Sequence, residues 1–278
     1  MLPTFSYPVE AQYYKPELFE DILNRLDQQE IDLHKVSRSH IGGVDEFHVR
    51  GAEVSKELVK GLGLTGSTVL DVGCGIGGPA RMLADELDCK VTGIDISEEY
   101  IRTAKKLSAL VGLKKKTKFI QADALNMPFK DGSFDVVWTQ HVQMNIEDKQ
   151  KFYSEIRRVL KARGMFIYYD IFKLNGQDIN YPVPWANDAT VSHLATPSEM
   201  DEILQGLGFS KSQSRNQTYK AKQFLNGLFE KLKQNGPPLL GLNVLMGAST
   251  KEKLGNILKG LEEGRLALQS GVYCRYQD

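Results

Sequence analysis

The stretch that decides the fold is Val69-Leu70-Asp71-Val72-Gly73-Cys74-Gly75-Ile76-Gly77-Gly78, followed from about Pro79 by helical periodicity. Its first half is a short apolar run and its second half a run of glycines, so it reads as a strand turning sharply into a helix. Glycines in such a turn permit tight backbone geometry and let a ligand approach the helix N-terminus. Outward from it, similar apolar runs recur at 90–94, 117–120, 134–138 and 165–171, with helical periodicity between them. That alternation predicts an α/β fold of βαβ units around a parallel sheet. The runs are mostly too apolar to leave a face in water, so helices are expected on both sides.

The intervening helices carry start and stop signals. Ser97 is placed to cap a helix with Glu98 and Glu99 in its first turn, an apolar stripe of Ile101, Ala104, Leu107 and Val111, and a stop at Gly112. Thr196-Pro197-Ser198-Glu199 is a capping box with proline in the first helical position, continuing through Met200, Ile203, Leu204 and Leu207 to Gly208. Two segments fall outside the alternation. One is residues 1–60, with the aromatic cluster Phe5, Tyr7, Tyr13, Tyr14 and Phe19; the other, after about Tyr219, reads as helices. The latter includes a further capping box, Ser249 with Glu252, ahead of Leu254, Ile257, Leu258 and Leu261, and ends in a strand over 266–276. Without a repeat, low-complexity run or linker, one domain is expected over 1–278: a helical cover at 1–60, a core at 61–217, a helical insertion at 218–264 and a final strand at 265–278.

The 278 residues are 41% hydrophobic and 25% charged, enough to bury a core. Thirty-five Lys and Arg balance thirty-five Asp and Glu, which gives no electrostatic case for a nucleic acid or an anionic membrane as partner. Cys74, Cys89 and Cys274 are scattered and form no Cys-x-x-Cys pair, so neither a disulfide framework nor a zinc site is expected, and the compartment is read as reducing and cytoplasmic. The start has no basic segment followed by an apolar run, and the uncharged stretch at 234–250 is broken by Gly, Pro and Asn, so neither secretion nor a membrane span is expected.

Gly73, Gly75 and Gly78 satisfy the spacing G-x-G-x-x-G, and Asp95, ending the second strand, lies where an acid accepts from ribose hydroxyls. A dinucleotide such as NAD fits that much. Asp71 separates the ligand classes, because a carboxylate two residues before the first glycine repels a pyrophosphate and attracts an ammonium or sulfonium. S-adenosylmethionine offers an ammonium, a ribose and an adenine amino group to Asp71, Asp95 and Asp123, three acids after three successive strands. A cap or turn aspartate is the competing reading of each. An NAD-dependent oxidoreductase and a non-catalytic binder of the same nucleoside stay open as alternatives.

On V-L-D-V-G-C-G-I-G-G, G-I-D, Q-A-D-A, F-D-V-V-W and R-V-L-K-A-R-G, the chain resembles class I S-adenosylmethionine-dependent methyltransferases of small molecules, over about residues 58–172. It is similar to the ubiquinone/menaquinone C-methyltransferase and sarcosine/dimethylglycine methyltransferase groups. The resemblance implies a Rossmann-like, seven-stranded, mostly parallel sheet whose last strand is antiparallel and inserted between the fifth and sixth. Strand six would then be 209–217 and strand seven 266–276, with the helices between them over the active site. It further implies cofactor contacts from Asp71, Gly73, Gly75, Asp95, Ile96, Asp123, Ala124 and Gln140. Ahead of the loop, Gly42-Gly43-Val44-Asp45-Glu46-Phe47-His48 is similar to the Gly-Gly-x-Asp-x-x-His pattern of methyltransferases acting on amines and phospholipid head groups. After strand four, however, this chain has Gln140-His141 and Asn145 where the phosphoethanolamine enzymes have an Arg-Asp pair and a catalytic histidine, which counts against that acceptor.

Methyl transfer from a sulfonium is an in-line displacement with an activated donor, so the protein has to align the acceptor, exclude water and, where needed, remove a proton. His141, after strand four, and His48, in the leading segment, are the candidates for that proton, with packing or capping as the competing role. Asp170, ending strand five, is expected to hold an acceptor amine or hydroxyl, or else a turn. Asn180-Tyr181-Pro182-Val183-Pro184-Trp185 reads as a substrate lid or a packed loop, and Tyr7, Tyr13 and Tyr14 as a cation cage or as core. Cys74 has no histidine neighbour in sequence and is not expected to be a nucleophile. The loop after strand four lacks both the Asn/Asp-Pro-Pro-aromatic motif and a Pro-Cys pair, which argues against nucleic-acid methylation. The expected reaction is methyl transfer to a small molecule, either an amine or a quinone- or terpenoid-like carbon or hydroxyl, without a metal.

Overall fold

The computed structural model describes residues 8–174 and 176–276; Phe5 and Tyr7 of the aromatic cluster lie outside them. Four helices lead, α1 (Pro8–Tyr13), α2 (Leu18–Gln28), α3 (Arg38–Asp45) and α4 (Gly51–Leu58). Then β1 (Thr68–Val72), α5 (Gly78–Glu86), β2 (Lys90–Asp95), α6 (Glu98–Leu110), β3 (Thr117–Gln121) and β4 (Phe134–Gln140) alternate as the apolar runs require. They are followed by α7 (Lys149–Val159), β5 (Leu160–Lys173), α8 (Pro197–Gly206), β6 (Phe209–Asn216), α9 (Thr218–Asn235), α10 (Asn243–Met246), α11 (Thr250–Glu262) and β7 (Leu266–Arg275). The order across the sheet is β3-β2-β1-β4-β5-β7-β6. β1 to β5 pair in parallel, while β7 runs antiparallel to both β5 and β6, between which it is inserted. This is the expected Rossmann-like arrangement.

Strand polarity fixes where chemistry can occur. The parallel order reverses direction at β1 and β4, and the loops leaving those neighbours splay apart to open a crevice at their carboxyl ends. Alternation along β1 sends Val69 into one core cluster with Leu83, Val136 and Trp138, and Leu70 and Val72 into another with Val137, Phe152 and Phe166. A third cluster joins Leu18, Ile22 and Leu26 of α2 to Tyr100 and Leu107 of α6, and to Leu240, Val244 and Leu245. The leading helices and the late insertion therefore meet each other, and together they roof the crevice.

Local signals explain most element ends. Ser97 Oγ accepts the Tyr100 N–H at 3.3 Å. Thr196 and Glu199 exchange the two bonds of a capping box. Asp148, which the sequence reading passed over, caps α7 by accepting the Lys151 N–H at 2.8 Å. The capping box expected at Ser249 and Glu252 does not form. The chain arrives there through a 3-10 turn, Gly247–Ser249, so Ser249 is not extended as a capping residue must be, and its Oγ donates back to the Met246 carbonyl instead. β5 begins five residues before the expected position 165, and a register shift between Phe134 and Val136 lets β4 follow it.

Candidate functional site

The glycine loop is shaped by what packs on each glycine. Gly73 has φ 69°, and a Cβ there would lie 2.5 Å from Val142 of the loop after β4. Gly75 has φ 54° and open space where a Cβ would stand. At Gly78 a Cβ would collide with the Asp45 carbonyl, so the third glycine serves helix packing against α3 rather than a ligand. The loop's N–H groups are already engaged: Gly73 and Cys74 donate to the Ile94 carbonyl at 2.8 and 2.9 Å, and Gly75 donates to Asp95 Oδ2 at 2.9 Å.

Above this loop lies a cavity. Asp71, Gly73, Gly75, Asp95, Ile96, Asp123, Ala124 and Gln140 all line it, as do His48 and His141. Asp71 is 2% exposed; it accepts the Ala80 N–H, while its Oδ2 has no hydrogen-bond partner. Burial, reinforced by the negative charges of Asp95 and Glu46, holds its carboxyl well above the usual carboxylate range. Asp95 accepts from Ser97 and Gly75, yet burial still pushes it up to about 6. Asp123 accepts the Leu125 N–H at 2.8 Å. A buried carboxylate oxygen with no partner, beside two further acids in one cavity, fits a cationic nucleoside: an ammonium for Asp71, and hydroxyl or amino donors for Asp95 and Asp123. Among the described residues no cluster could hold a metal ion. The Cys74 thiol is pushed well up by burial and by Asp71 and Asp95, the reverse of a reactive thiolate.

His48 sits in a buried network. Gly51 O at 3.1 Å, Gln140 Nε2 at 3.2 Å and Glu46 Oε2 at 3.3 Å all face its Nε2. Trp138 Nε1 donates to Gln140 Oε1, Gln140 Nε2 to Ser55 Oγ, and Ser55 Oγ to Glu46 Oε2. Burial works against the Glu46 charge, but the hydrogen bonds from His48 and Ser55 outweigh it and keep the carboxyl below its usual range. His141 is held differently. Its φ is 53°, its N–H donates to the Tyr169 carbonyl at 2.8 Å, and its ring centroid stands 5.0 Å from Tyr169 and 6.0 Å from His48. Its Nε2 is buried without a partner, and burial, with the nearby His48, holds its pKa well below the ordinary histidine value. The ring is therefore neutral at pH 7.

Asp170 had two expected roles, contact with an acceptor or a turn. It does not line the cavity; its carboxylate accepts the backbone N–H groups of Val142 and Gln143 at 3.3 and 3.2 Å and is pushed up to about 7 by burial. It holds the loop that carries His141 rather than reaching toward an acceptor. Of the three tyrosines read as a cage, Tyr7 lies outside the described residues. Tyr13 lines the cavity and donates to Asn145 Oδ1 at 2.7 Å, whereas Tyr14 does not line it. Trp185 is 1% exposed, so its segment is a packed wall.

Two features escaped the sequence reading. Arg81, fully buried, pairs with Asp45 and donates to the carbonyls of Ile76 at 2.6 Å and Ala104 at 3.2 Å and to Ser108 Oγ at 3.1 Å. With Gly43 packed under the Leu240 carbonyl, this gives the Gly42-to-His48 segment a structural account: it is clamped to the glycine loop and roofed by the insertion. An arginine inside the apolar run Ala80-Arg81-Met82-Leu83-Ala84 was the available signal. The second feature is an adjoining apolar chamber, sharing Tyr13, Phe47, His48 and His141 with the first cavity. Its other walls come from segments far apart in sequence: Met144, Pro184, Trp185, then Phe224, Leu225 and Leu228 of α9, and Leu254 and Ile257 of α11.

Residues 70–168 match the family model described as a methyltransferase domain. Over 105 residues, 38% of this chain and 28% of the relative, the chain is 44% identical to a sterol 24-C-methyltransferase of Gibberella zeae. Over 99 residues, 36% of this chain and 34% of the relative, it is 45% identical to the ajmaline N-methyltransferase of Rauvolfia serpentina. The chain thus spans about a third of the length of such curated relatives. Among solved structures, phosphoethanolamine N-methyltransferase 2 of Haemonchus contortus, in complex with phosphomonomethylethanolamine and S-adenosylhomocysteine, superposes with a TM-score of 0.73 at 21% identity, covering 92% of this chain and 60% of that one. Residues 70–168 therefore match a methyltransferase domain, set in a chain whose fold is that of the phosphoethanolamine N-methyltransferase.

Proposed function

We propose that this protein transfers a methyl group from S-adenosylmethionine to a small-molecule acceptor. The observation that carries the reading is the partnerless Asp71 oxygen, buried in the same cavity as Asp95 and Asp123. Asp71 pairs with the amino-acid ammonium, Asp95 accepts from the ribose, and Asp123 accepts from the adenine amino group. Ile96 and Ala124 flank the base, Gly73 and Gly75 let the ligand approach the backbone, and Gln140 borders the methionine end. When bound, the cofactor supplies a methyl already activated on a sulfonium. The chain's own part is to hold the acceptor against it, keep water out under the roof of helices, and accept a proton at His141 Nε2. His48, tied to Glu46, Ser55 and Gln140, positions the far side of that boundary.

Against a dinucleotide, three successive N–H groups of the loop are spent inside the protein, and Asp71 faces the space a pyrophosphate would need. We read residues 1–278 as one methyltransferase domain, with 218–264 as part of its acceptor site, and place it in the cytoplasm on the strength of three free cysteines. No helix of the described residues is long and apolar enough to cross a membrane. The relatives act, by their names, on a sterol carbon in one case and an alkaloid nitrogen in the other, so the acceptor atom is a separate question. The test is transfer of labelled methyl from S-adenosylmethionine into the small molecules of a metabolite extract. His141→Ala should slow transfer about 10²-fold while leaving cofactor affinity in place. Cofactor binding with no labelled product from any extract would leave the protein a binder rather than an enzyme.

A further inference from the structure

The chamber beside the cofactor cavity has a chemistry that narrows the acceptor. Among the described residues no Asp, Glu, Lys or Arg lines it. Its polar groups are confined to the boundary with the cofactor cavity: the imidazoles of His48 and His141 and the phenol of Tyr13, itself committed to Asn145. Everything beyond is hydrocarbon or aromatic, supplied by Met144, Trp185 and the apolar sides of α9 and α11. Phe47 is edge-on to Tyr13 at 6.4 Å, and Tyr13 leans on Tyr100 at 5.9 Å. Those rings pack on one another rather than converging around a cation.

We propose that the acceptor is an uncharged molecule with an apolar body, seated among Trp185, Phe224, Leu228 and Leu254, with its reacting atom at the boundary marked by His48 and His141. This deepens the methyltransferase reading and rests on it. A charged group taken into such a chamber loses its hydration and finds no counter-charge, which excludes phosphorylated and permanently cationic acceptors. A neutral hydroxyl or carbon suits both ends of the space. Methyl transfer to it forms one new bond from the acceptor's electron pair, breaks the sulfonium's bond to the methyl, leaves a neutral sulfide, and releases one proton. His141 Nε2, buried and without a partner, stands where that proton must go.

The test first saturates the purified full chain with S-adenosylhomocysteine, followed by calorimetry. Failure of that step overturns the methyltransferase reading itself and is seen before any acceptor probe is added. Equilibrium dialysis at pH 7 then compares 2-naphthol, 2-naphthylmethylammonium and 2-naphthoate, one aromatic body with a neutral, cationic or anionic head. The neutral probe should bind at least about tenfold more tightly than either ion. Leu228→Lys should reduce its binding by a similar factor while S-adenosylhomocysteine binding stays intact, which also reports that the variant is folded. Equal or tighter binding of an ion, no binding of any of the three, or an unaltered naphthol affinity in Leu228→Lys would overturn the proposal.

Discussion

The two cavities that meet at His141 are built on opposite principles. The cofactor side is polar and assembled from strand ends, with Asp71, Asp95 and Asp123 each one or two residues past or within the tip of a parallel strand. The chamber side is apolar and assembled from covers, with walls drawn from the leading segment, the loop after β5, α9 and α11. On the first side, the proposed reading has charge select the ligand, through one unpaired oxygen. On the second, only the absence of charge among the lining residues is informative. On the proposed reading, the donor's site belongs to the sheet, whereas the acceptor's site belongs to whatever is laid over it.

The sharpest way to break this division is at the clamp between its halves. Arg81 ties Asp45 of the cover to the Ile76 carbonyl of the glycine loop, all out of water. Arg81→Met leaves the Asp45 carboxylate buried and alone, and should cost about 3–5 kcal/mol in denaturant unfolding. It should weaken cofactor binding as well. Loss of stability with unchanged affinity would show that the cover and the loop are independent.

A smaller effect distinguishes support from contact. If Asp170 holds the loop through the N–H groups of Val142 and Gln143, Asp170→Ala should cost about 1–3 kcal/mol and lower turnover by misplacing His141. Asp170→Asn keeps an oxygen acceptor and should recover most of both. An asparagine variant as slow as the alanine one, but fully stable, would return Asp170 to direct contact with the acceptor.

The smallest expected effect is a proton count. In the free protein, burial raises Asp71 well above its usual range and Asp95 to about 6. A ligand that brings an ammonium and hydroxyl donors favours the ionised forms, so binding must release protons. Affinity should rise with pH until both acids are ionised in the free protein, the share due to Asp95 being complete shortly above pH 6. Calorimetry in two buffers of different ionisation enthalpy measures the release directly. An affinity that falls as pH rises from 5 to 7 would contradict the sign.

The sheet was legible because a buried parallel strand must be apolar on both faces, and such runs, punctuated by Gly73, Gly112 and Gly208, announce themselves locally. Asp71, Asp95 and Asp123 stood out for a related reason: each lies in, or within two residues of, the carboxyl end of a parallel strand. Asp170 also lies near the end of a parallel strand, yet its carboxylate turns to the backbone of the neighbouring loop, an orientation invisible in one dimension. Arg81 was hidden because its partners lie 36 and 27 residues away, at Asp45 and Ser108. The chamber was hidden more deeply, since Trp185, Phe224 and Leu254 become neighbours only once β7 has been threaded back between β5 and β6.

The central claim is that Asp71, through its partnerless Oδ2, is the receptor for the ammonium of an S-adenosyl ligand. It is tested most directly by calorimetric titration of the wild-type chain and of Asp71→Asn with S-adenosylhomocysteine, and of the wild type with NAD. The account predicts micromolar affinity for the wild type, a loss of about 10²-fold in the asparagine variant, and no heat with NAD. Unchanged affinity in Asp71→Asn, or binding of NAD in place of S-adenosylhomocysteine, would contradict it.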